Sequence, residues 1–189
     1  MEVLEAILRL RQICADPRLI GKETMGAKLE QLIQDLPQLK EHKVLIFSQF
    51  TTMLGLIGDA LCKEGLPYLF LDGSTSPKER AERIEAFQGG DVSFFLLSLK
   101  AGGIGLNLTS ADYVLLFDPW WNEAIEAQAT SRAHRLGQQK KVIVKRYLTP
   151  HSIEEKMSLL KQEKGRMAEE LFEKESSSLT SEDLLHLLT

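Results

Sequence analysis

Short apolar runs alternate with amphipathic stretches through the middle of the chain. Stretches of helical spacing, about 10–15 residues long, separate several of these runs. Strands that alternate with helices of this length predict βαβ units and a parallel sheet. With right-handed crossovers, the pattern predicts a three-layer α/β domain. The runs of strand type lie at residues 43–50, 66–73, 93–99, 113–118 and 141–148.

Two amphipathic helices are predicted ahead of the first strand. Residues 2–15 place apolar side chains at helical spacing, and the pair Asp16-Pro17 ends that pattern. Residues 28–39 form a second stripe, with Pro37 near its end. The side chains expected to face the core are Val3, Ile7, Leu10 and Cys14 on the first helix, and Leu29, Leu32, Ile33 and Leu36 on the second.

Helix-start signals follow the second and the fifth strand. Ser76, followed by a proline and Glu79, predicts a capping box. Ser152 and Glu155 predict another, which opens a long polar helix to about Glu175. We therefore divide the chain into an N-terminal helical segment (1–40), an α/β lobe (41–150) and a C-terminal helical brace and tail (151–189).

Polar and glycine-rich positions are concentrated where the predicted strands end. Ligands of open parallel sheets bind beyond the carboxyl ends of the strands. The glycines of the third strand end suit close approach of a phosphate, and they equally suit a tight turn. The stretch DGST at the end of the second strand likewise suits either a phosphate contact or a tight turn. From first to fourth, the strands run into SQF, DGST, SLKAGGIGLN and DPWWN.

Positive charge is concentrated in one part of a chain whose net charge is −4. Residues 128–152 contain six Lys and Arg but no Asp or Glu. Arg132 and Arg135 lie three apart, on one face of a predicted helix, and their forked guanidinium groups match phosphate oxygens. A solvated helix face, or salt bridges to Glu123 and Glu126, would explain the same pattern.

The remaining composition excludes several classes of protein. No apolar run approaches the roughly 18 residues of a membrane helix, and no secretory signal is present. Cys14 and Cys62, without a CxxC pair, fit a reducing compartment and argue against structural zinc. Both thiols are expected to be buried or half-buried. Neither a P-loop nor a Rossmann fingerprint occurs, and a pI near 5.7 argues against bulk coating of nucleic acid.

Four sequence blocks together resemble the C-terminal half of the Swi/Snf-type ATPases, a family of superfamily-two helicase-like DNA translocases. They are similar to the family's motifs IV, IVa, V and VI, and the preceding LRLRQICADPRLI resembles the segment ahead of those motifs. The resemblance covers about residues 5–160. It implies a RecA-like second lobe inside the cell, nuclear in a eukaryote and cytoplasmic in a prokaryote. The blocks are KVLIFSQF, LDGST, LLSLKAGGIGLNLTSADYVLLFDPWWN and EAQATSRAHRLGQ.

The resemblance also implies roles for particular residues. Arg132 and Arg135 match the arginine fingers of motif VI, which reach across a cleft to the γ-phosphate of ATP held by the first lobe. Gly105, Asn107 and Gln128 match positions near the nucleotide. The positions that match contacts to the backbone of double-stranded DNA are Ser48, Gln49, Gly73, Ser74, Thr75, Ser98 and Lys100.

For activity, the resemblance implies half of a motor. The family's Walker lysine and its acidic pair for Mg²⁺ belong to the first lobe, and this sequence has neither. The chain alone is therefore expected not to hydrolyse ATP and to hold no metal, as an excised part of a longer DNA-dependent ATPase that remodels chromatin or another nucleoprotein. Ser131 stands where the family often has Asp, which would loosen the orientation of the arginine fingers.

Two other functions fit parts of the sequence. A non-catalytic α/β module that binds DNA or a protein would use the acidic tail and the final LLHLL helix, and its binding would be insensitive to Arg132. A Rossmann-type enzyme would bind a nucleotide or a methyl donor at KAGGIGLN. That enzyme lacks both its glycine fingerprint and its acidic ribose ligand here.

Overall fold

The computed structural model describes residues 2–99, 108–118 and 141–160. Residues 153–160 form a helix, α5, that reaches the end of the last described range. None of the helices in these ranges is long and apolar enough to cross a membrane. The helix predicted around Arg132 and Arg135, which the sequence places from Asn122 to about His134, lies outside the described residues. The other elements are α1 (Glu2–Ala15), a 3-10 helix (Pro17–Ile20), α2 (Ala27–Leu39), β1 (Val44–Ser48), α3 (Thr51–Lys63), β2 (Tyr68–Leu71), α4 (Pro77–Gly89), β3 (Phe94–Ser98), β4 (Tyr113–Leu116) and β5 (Ile143–Arg146).

The five strands form one parallel sheet in the order β2-β3-β1-β4-β5. β1 lies at the centre, with β3 and β4 on either side of it. The register pairs Ser48 with Ser98, so the last residues of β1 and β3 lie side by side. All five predicted strands are confirmed, and their carboxyl ends share one edge of the sheet, which we call the carboxyl edge.

Alternate residues of the central strands pack into two separate apolar cores, one on each face of the sheet. Val44 and Ile46 of β1 pack with leucines of α2 and α3. Leu45 and Phe47 face the other way and pack with Phe87 of α4. A strand buried on both faces reads as a continuous apolar run, which explains the sequence VLIF in β1. The predicted three-layer α/β architecture is confirmed.

The predicted apolar stripe of α1 is wrong at one position. Ile7 is buried against Ile153 and Met157 of α5, and Cys14 packs at the side of the same cluster. Leu10, however, is 38% exposed, while Arg11 beside it is only 2% exposed. Ile7 and Arg11 are one helical turn apart, so the buried face of α1 runs through an arginine instead of through Leu10.

The first predicted capping box is confirmed, and the second forms differently. At α4, Ser76 Oγ accepts a hydrogen bond from the Glu79 N–H, and the Glu79 carboxylate accepts one from the Ser76 N–H. At α5, the hydroxyl of Ser152 accepts from the N–H of Glu154 at 3.1 Å. The Glu155 carboxylate there accepts from the His151 N–H at 2.7 Å, and His151 adopts a left-handed conformation (φ 53°) just before the helix.

Candidate functional site

The ends of β1 and β4 are joined by a buried carboxylate at the carboxyl edge. Asp118 follows β4, and its Oδ1 accepts a hydrogen bond from the Gln49 N–H at 2.9 Å. Its Oδ2 accepts a short hydrogen bond from the Ser48 hydroxyl. Ser48 Oγ in turn accepts from the Phe50 N–H at 3.0 Å. One carboxylate therefore fixes the chain where it leaves β1 and where it leaves β4.

Asp118 is 2% exposed, and this burial has an electrostatic cost. Burial raises the pKa of Asp118 to about 6. The hydrogen bonds from Ser48 and Gln49, and the positive charges of Arg11 and Lys28, oppose that rise. The carboxyl group is thus mainly ionised at neutral pH and becomes protonated in mildly acidic solution.

Two buried cations and a second buried carboxylate accompany Asp118. The Lys28 ammonium of α2 donates to Glu154 Oε1 at 2.6 Å and to the Phe117 carbonyl at 3.1 Å. Arg11 of α1 interacts electrostatically with both Asp118 and Glu154, and burial lowers the pKa of its guanidinium group. We call Arg11, Lys28, Asp118 and Glu154 the buried charge network. Each of its side chains is 5% exposed or less.

The network balances two positive against two negative charges and joins four parts of the fold. Arg11 comes from α1, Lys28 from α2, Asp118 from the end of β4 and Glu154 from α5. Glu154 Oε2 also accepts from the Thr149 N–H at 3.1 Å. The helices before and after the sheet are therefore tied to the carboxyl edge through charged groups and not only through apolar packing.

The loop after β2 is organised by its own aspartate. Asp72 Oδ1 accepts hydrogen bonds from the Ser74 N–H at 2.9 Å and the Ser74 hydroxyl at 2.6 Å. Thr75 Oγ1 accepts from the Asp72 N–H at 3.1 Å. Gly73 and Ser74 are exposed, and a Cβ placed on Gly73 would meet nothing within 4 Å. Nothing in the described part of this lobe therefore requires a glycine at position 73.

The structure brings several of the predicted DNA-contacting residues to one edge but buries two of them. Ser48 is 0% exposed and Ser98 is 4% exposed, so neither side chain reaches the surface. Gln49 and Thr75 are partly exposed. Gln49 Nε2 is buried and has no hydrogen-bond partner among the described residues. The predicted site residues outside the described ranges are Lys100, Gly105, Asn107, Gln128, Arg132 and Arg135.

Sequence reasoning missed the buried charge network. Arg11, Lys28 and Glu154 look like exposed charges of amphipathic helices, and their partners are distant in sequence. One signal was available, because Arg11 lies four residues after Ile7 and four before Ala15, on the face that proves to be buried.

Cysteine and metal chemistry add little to this site. Cys14 is half-buried, as expected, but Cys62 is exposed, contrary to the prediction. Cys62 lies in the last turn of α3, after the buried Leu61 and before the exposed Lys63 and Glu64. Across the three described ranges, no group of three or more His, Cys, Asp and Glu side chains could hold a metal ion.

Comparisons with known proteins identify the family. Residues 27–137 match the model of the helicase conserved C-terminal domain. The DNA repair protein rad8 of Schizosaccharomyces pombe is 46% identical over 74% of this chain and 13% of its own length. An uncharacterized ATP-dependent helicase of Mycoplasma pneumoniae is 38% identical over 98% of this chain and 19% of its own length. The chain thus spans about a fifth or less of these two relatives.

A solved structure supports the same identification. The crystal structure of the C-terminal part of the Fun30 ATPase domain matches with a TM-score of 0.73 and 34% identity. The match covers 86% of this chain and 52% of that one. The RecA-like fold inferred from the four sequence blocks is confirmed by this likeness. The chain belongs to the helicase conserved C-terminal domain family, as the C-terminal RecA-like lobe of a Swi/Snf-type helicase.

Proposed function

We propose that the chain is the second motor lobe of a double-stranded-DNA-dependent ATPase and translocase. It would supply Arg132 and Arg135 as arginine fingers and the carboxyl edge as a surface for the DNA backbone. The observation that carries this proposal is the family match over residues 27–137, which includes both arginines together with the glycine-rich stretch and the strand ends.

The topology supports a shared nucleotide site. The segment with Gly105 and Asn107 follows β3 in the sequence, and the segment with Gln128 and both arginines follows β4. β1 alone separates these two strands, so the starting points of the segments lie about 10 Å apart. That separation is comparable with the length of a triphosphate, and residues from both segments can therefore meet one nucleotide.

In the proposed mechanism, ATP is the substrate and the arginines act in its transition state. Forked guanidinium groups stabilise charge that develops on the transferring phosphoryl group, a contribution of roughly 10³-fold or more in rate for arginine fingers. Mg²⁺ would be held by the first lobe, since the P-loop and its acidic partners are absent here. The chain alone would then lack ATP hydrolysis.

Contacts to DNA are proposed for the exposed part of the carboxyl edge. The Gln49 side chain is partly exposed, but its Nε2 is buried without a hydrogen-bond partner in the described part of the chain, so the side chain would have to turn outward to donate to a phosphate. The exposed loop at Gly73 leaves room for close approach of a phosphate. Lys100 would add a charge. Because the Ser48 hydroxyl is already donated to Asp118, we assign Ser48 an indirect role, in positioning Gln49.

Complementation tests this proposal. ATP hydrolysis is measured with and without double-stranded DNA for the 189-residue chain alone, for a first RecA-like lobe alone, and for the two fused with the first lobe ahead of residue 1. Hydrolysis that requires both lobes and rises with DNA is expected. Turnover by this chain alone would overturn the proposal, and so would DNA-independent turnover by the fusion.

A further inference from the structure

We propose that Asp118 is a positioning residue for the segment that begins at Pro119, and that the buried charge network holds Asp118 in place from α1, α2 and α5. This inference rests on the proposed function for its consequence in catalysis, because Arg132 and Arg135 belong to that segment. Its structural part stands on the contacts among described residues alone.

The geometry fixes the point from which the segment departs. Both carboxylate oxygens of Asp118 accept hydrogen bonds from the end of β1. The residue before it is held as well, because the Phe117 N–H donates to the Phe47 carbonyl at 3.0 Å and the Phe117 carbonyl accepts from Lys28. The main chain is thus anchored on two consecutive residues immediately before Pro119.

We call Phe117 and Asp118, together with the buried charge network, the anchor. Its chemistry is unusual for a purely structural role. Replacing a buried ion pair by apolar side chains of similar volume is often neutral or stabilising, so a buried network of four charges is weak evidence for stability. Such a network does restrict geometry, since each charge must keep its partner to avoid a large desolvation penalty. We therefore assign it to orientation: a shift of α5 or α1 would be transmitted to Asp118 through Glu154, Lys28 and Arg11.

The sequence provides a built-in probe of this orientation. The chain has two tryptophans, Trp120 and Trp121, and they follow Asp118 by two and three residues. Intrinsic tryptophan emission of the whole chain therefore reports on the start of this segment alone, without nucleotide, DNA or a first lobe.

The test compares emission and acrylamide quenching in matched variants. Asp118→Asn removes the charge while keeping the shape, and Lys28→Met with Glu154→Leu removes the ion pair while keeping apolar volume. The controls are Asp112→Asn, a buried carboxylate at the opposite edge of the sheet, which accepts from the Lys43 N–H, and Lys78→Met with Glu82→Leu, an exposed ion pair on α4. Ser48→Ala is a milder second variant of the anchor.

A shift of the emission maximum and a change in quenching are expected for the anchor variants, at temperatures where all variants are folded by far-UV circular dichroism. The controls should keep the wild-type emission. Wild-type emission in folded Asp118→Asn and Ser48→Ala would overturn the proposal. If Asp118→Asn does not fold, Ser48→Ala decides alone, with the same two outcomes.

A second measurement links the anchor to catalysis. In the fusion with a first lobe, the anchor variants should lower kcat by about 10- to 100-fold, with a much smaller change in KM for ATP, because misplaced arginines act on the transition state. An equal change in kcat for the control variants would overturn the positioning role. Should Arg135→Ala leave activity intact, the proposed function fails, whereas the tryptophan result still decides whether Asp118 orients the segment.

Discussion

Lys28 and Glu154 lie 126 residues apart in sequence and form an ion pair in the interior, with Lys28 Nζ 2.6 Å from Glu154 Oε1. Their side chains are 4% and 0% exposed. The pair connects α2, which packs on one face of the sheet, with α5, which follows β5. The ion pair therefore joins α5, which follows the lobe, to α2, which precedes the lobe, directly beneath the carboxyl edge.

Replacing one partner of this ion pair should lower the free energy of unfolding strongly, whereas replacing both partners by apolar side chains should not. Lys28→Met alone leaves Glu154 buried with its charge less compensated, so the free energy of unfolding should fall by about 3–5 kcal/mol. Adding Glu154→Leu should restore most of the loss. Urea unfolding of the chain at pH 7.5 measures both.

The exposed pair Lys78–Glu82 provides the control for that prediction. Its atoms are 4.0 Å apart and its side chains are 88% and 62% exposed. Either single substitution there should change the free energy of unfolding by less than about 1 kcal/mol. A double variant at Lys28 and Glu154 that is as unstable as the single variant would contradict the account of the ion pair.

Asp118 should make stability depend on pH in mildly acidic solution. Its pKa is about 6 in the fold, above the ordinary aspartate value of 3.8, because of burial. The folded state therefore holds this proton more tightly than the unfolded chain does. The stabilisation is complete below pH 3.8 and is lost as the pH rises through about 6, with a fall of roughly 1.5 kcal/mol between pH 5 and pH 7.5.

The difference between the wild type and Asp118→Asn isolates this effect. The charged groups that act on Asp118, namely Arg11 on α1 and Lys28 on α2, are present in both proteins, as is Glu154, which interacts with both of them. From pH 5 to pH 7.5 the wild type should lose stability relative to Asp118→Asn, as measured by urea unfolding at each pH. A difference that is constant over this range, or that changes in the opposite direction, would contradict the raised pKa of Asp118.

Gly73→Ala should separate DNA binding from stability. A Cβ at this position meets open space, so the substitution should leave the fold unchanged or stabilise it by up to about 1 kcal/mol. If DNA approaches the loop closely, the added methyl group should weaken DNA binding several-fold. Thermal unfolding and fluorescence anisotropy with labelled duplex DNA, on the fusion with a first lobe, measure the two effects.

Gly89→Ala is the matched control for the loop. Gly89 is exposed at the end of α4, and a Cβ there also meets open space. Because Gly89 lies before β3, it is at the edge of the sheet opposite Gly73. Gly89→Ala should keep wild-type DNA affinity. Equal affinity in both alanine variants would remove the loop after β2 from the proposed DNA surface.

The sequence predicted where helices and strands occur, but not which of them pair or pack together. Apolar runs located all five strands, although the structure trims the run at 66–73 to Tyr68–Leu71. Leu66, the first residue of this run, belongs to the turn after α3, where its N–H donates a hydrogen bond to the Leu61 carbonyl. The last residues of the run belong to the turn that Asp72 organises. The order of the strands, with β1 in the centre, depends on tertiary pairing and could not be derived from a local pattern.

In the candidate site, too, local features could be predicted from the sequence, whereas features set by distant residues could not. Motif blocks marked the strand ends, since local sequence determines where a strand stops and a loop begins. The burial of Ser48 and Ser98 depends on the neighbouring strands, and the charge network depends on helices more than a hundred residues apart. A charged side chain such as Arg11 is expected at the surface unless it is paired, and its partners come from other elements.

The most direct test of the central claim is the DNA-stimulated kcat of the fused two-lobe protein with Arg135→Ala. The control is Arg9→Ala, which removes an exposed arginine from α1. If Arg135 stabilises the transferring phosphoryl group, kcat should fall by about 10³-fold or more, while Arg9→Ala keeps the wild-type rate. A fusion that hydrolyses ATP equally well without Arg135 would contradict the assignment of this chain as the lobe that supplies the arginine fingers.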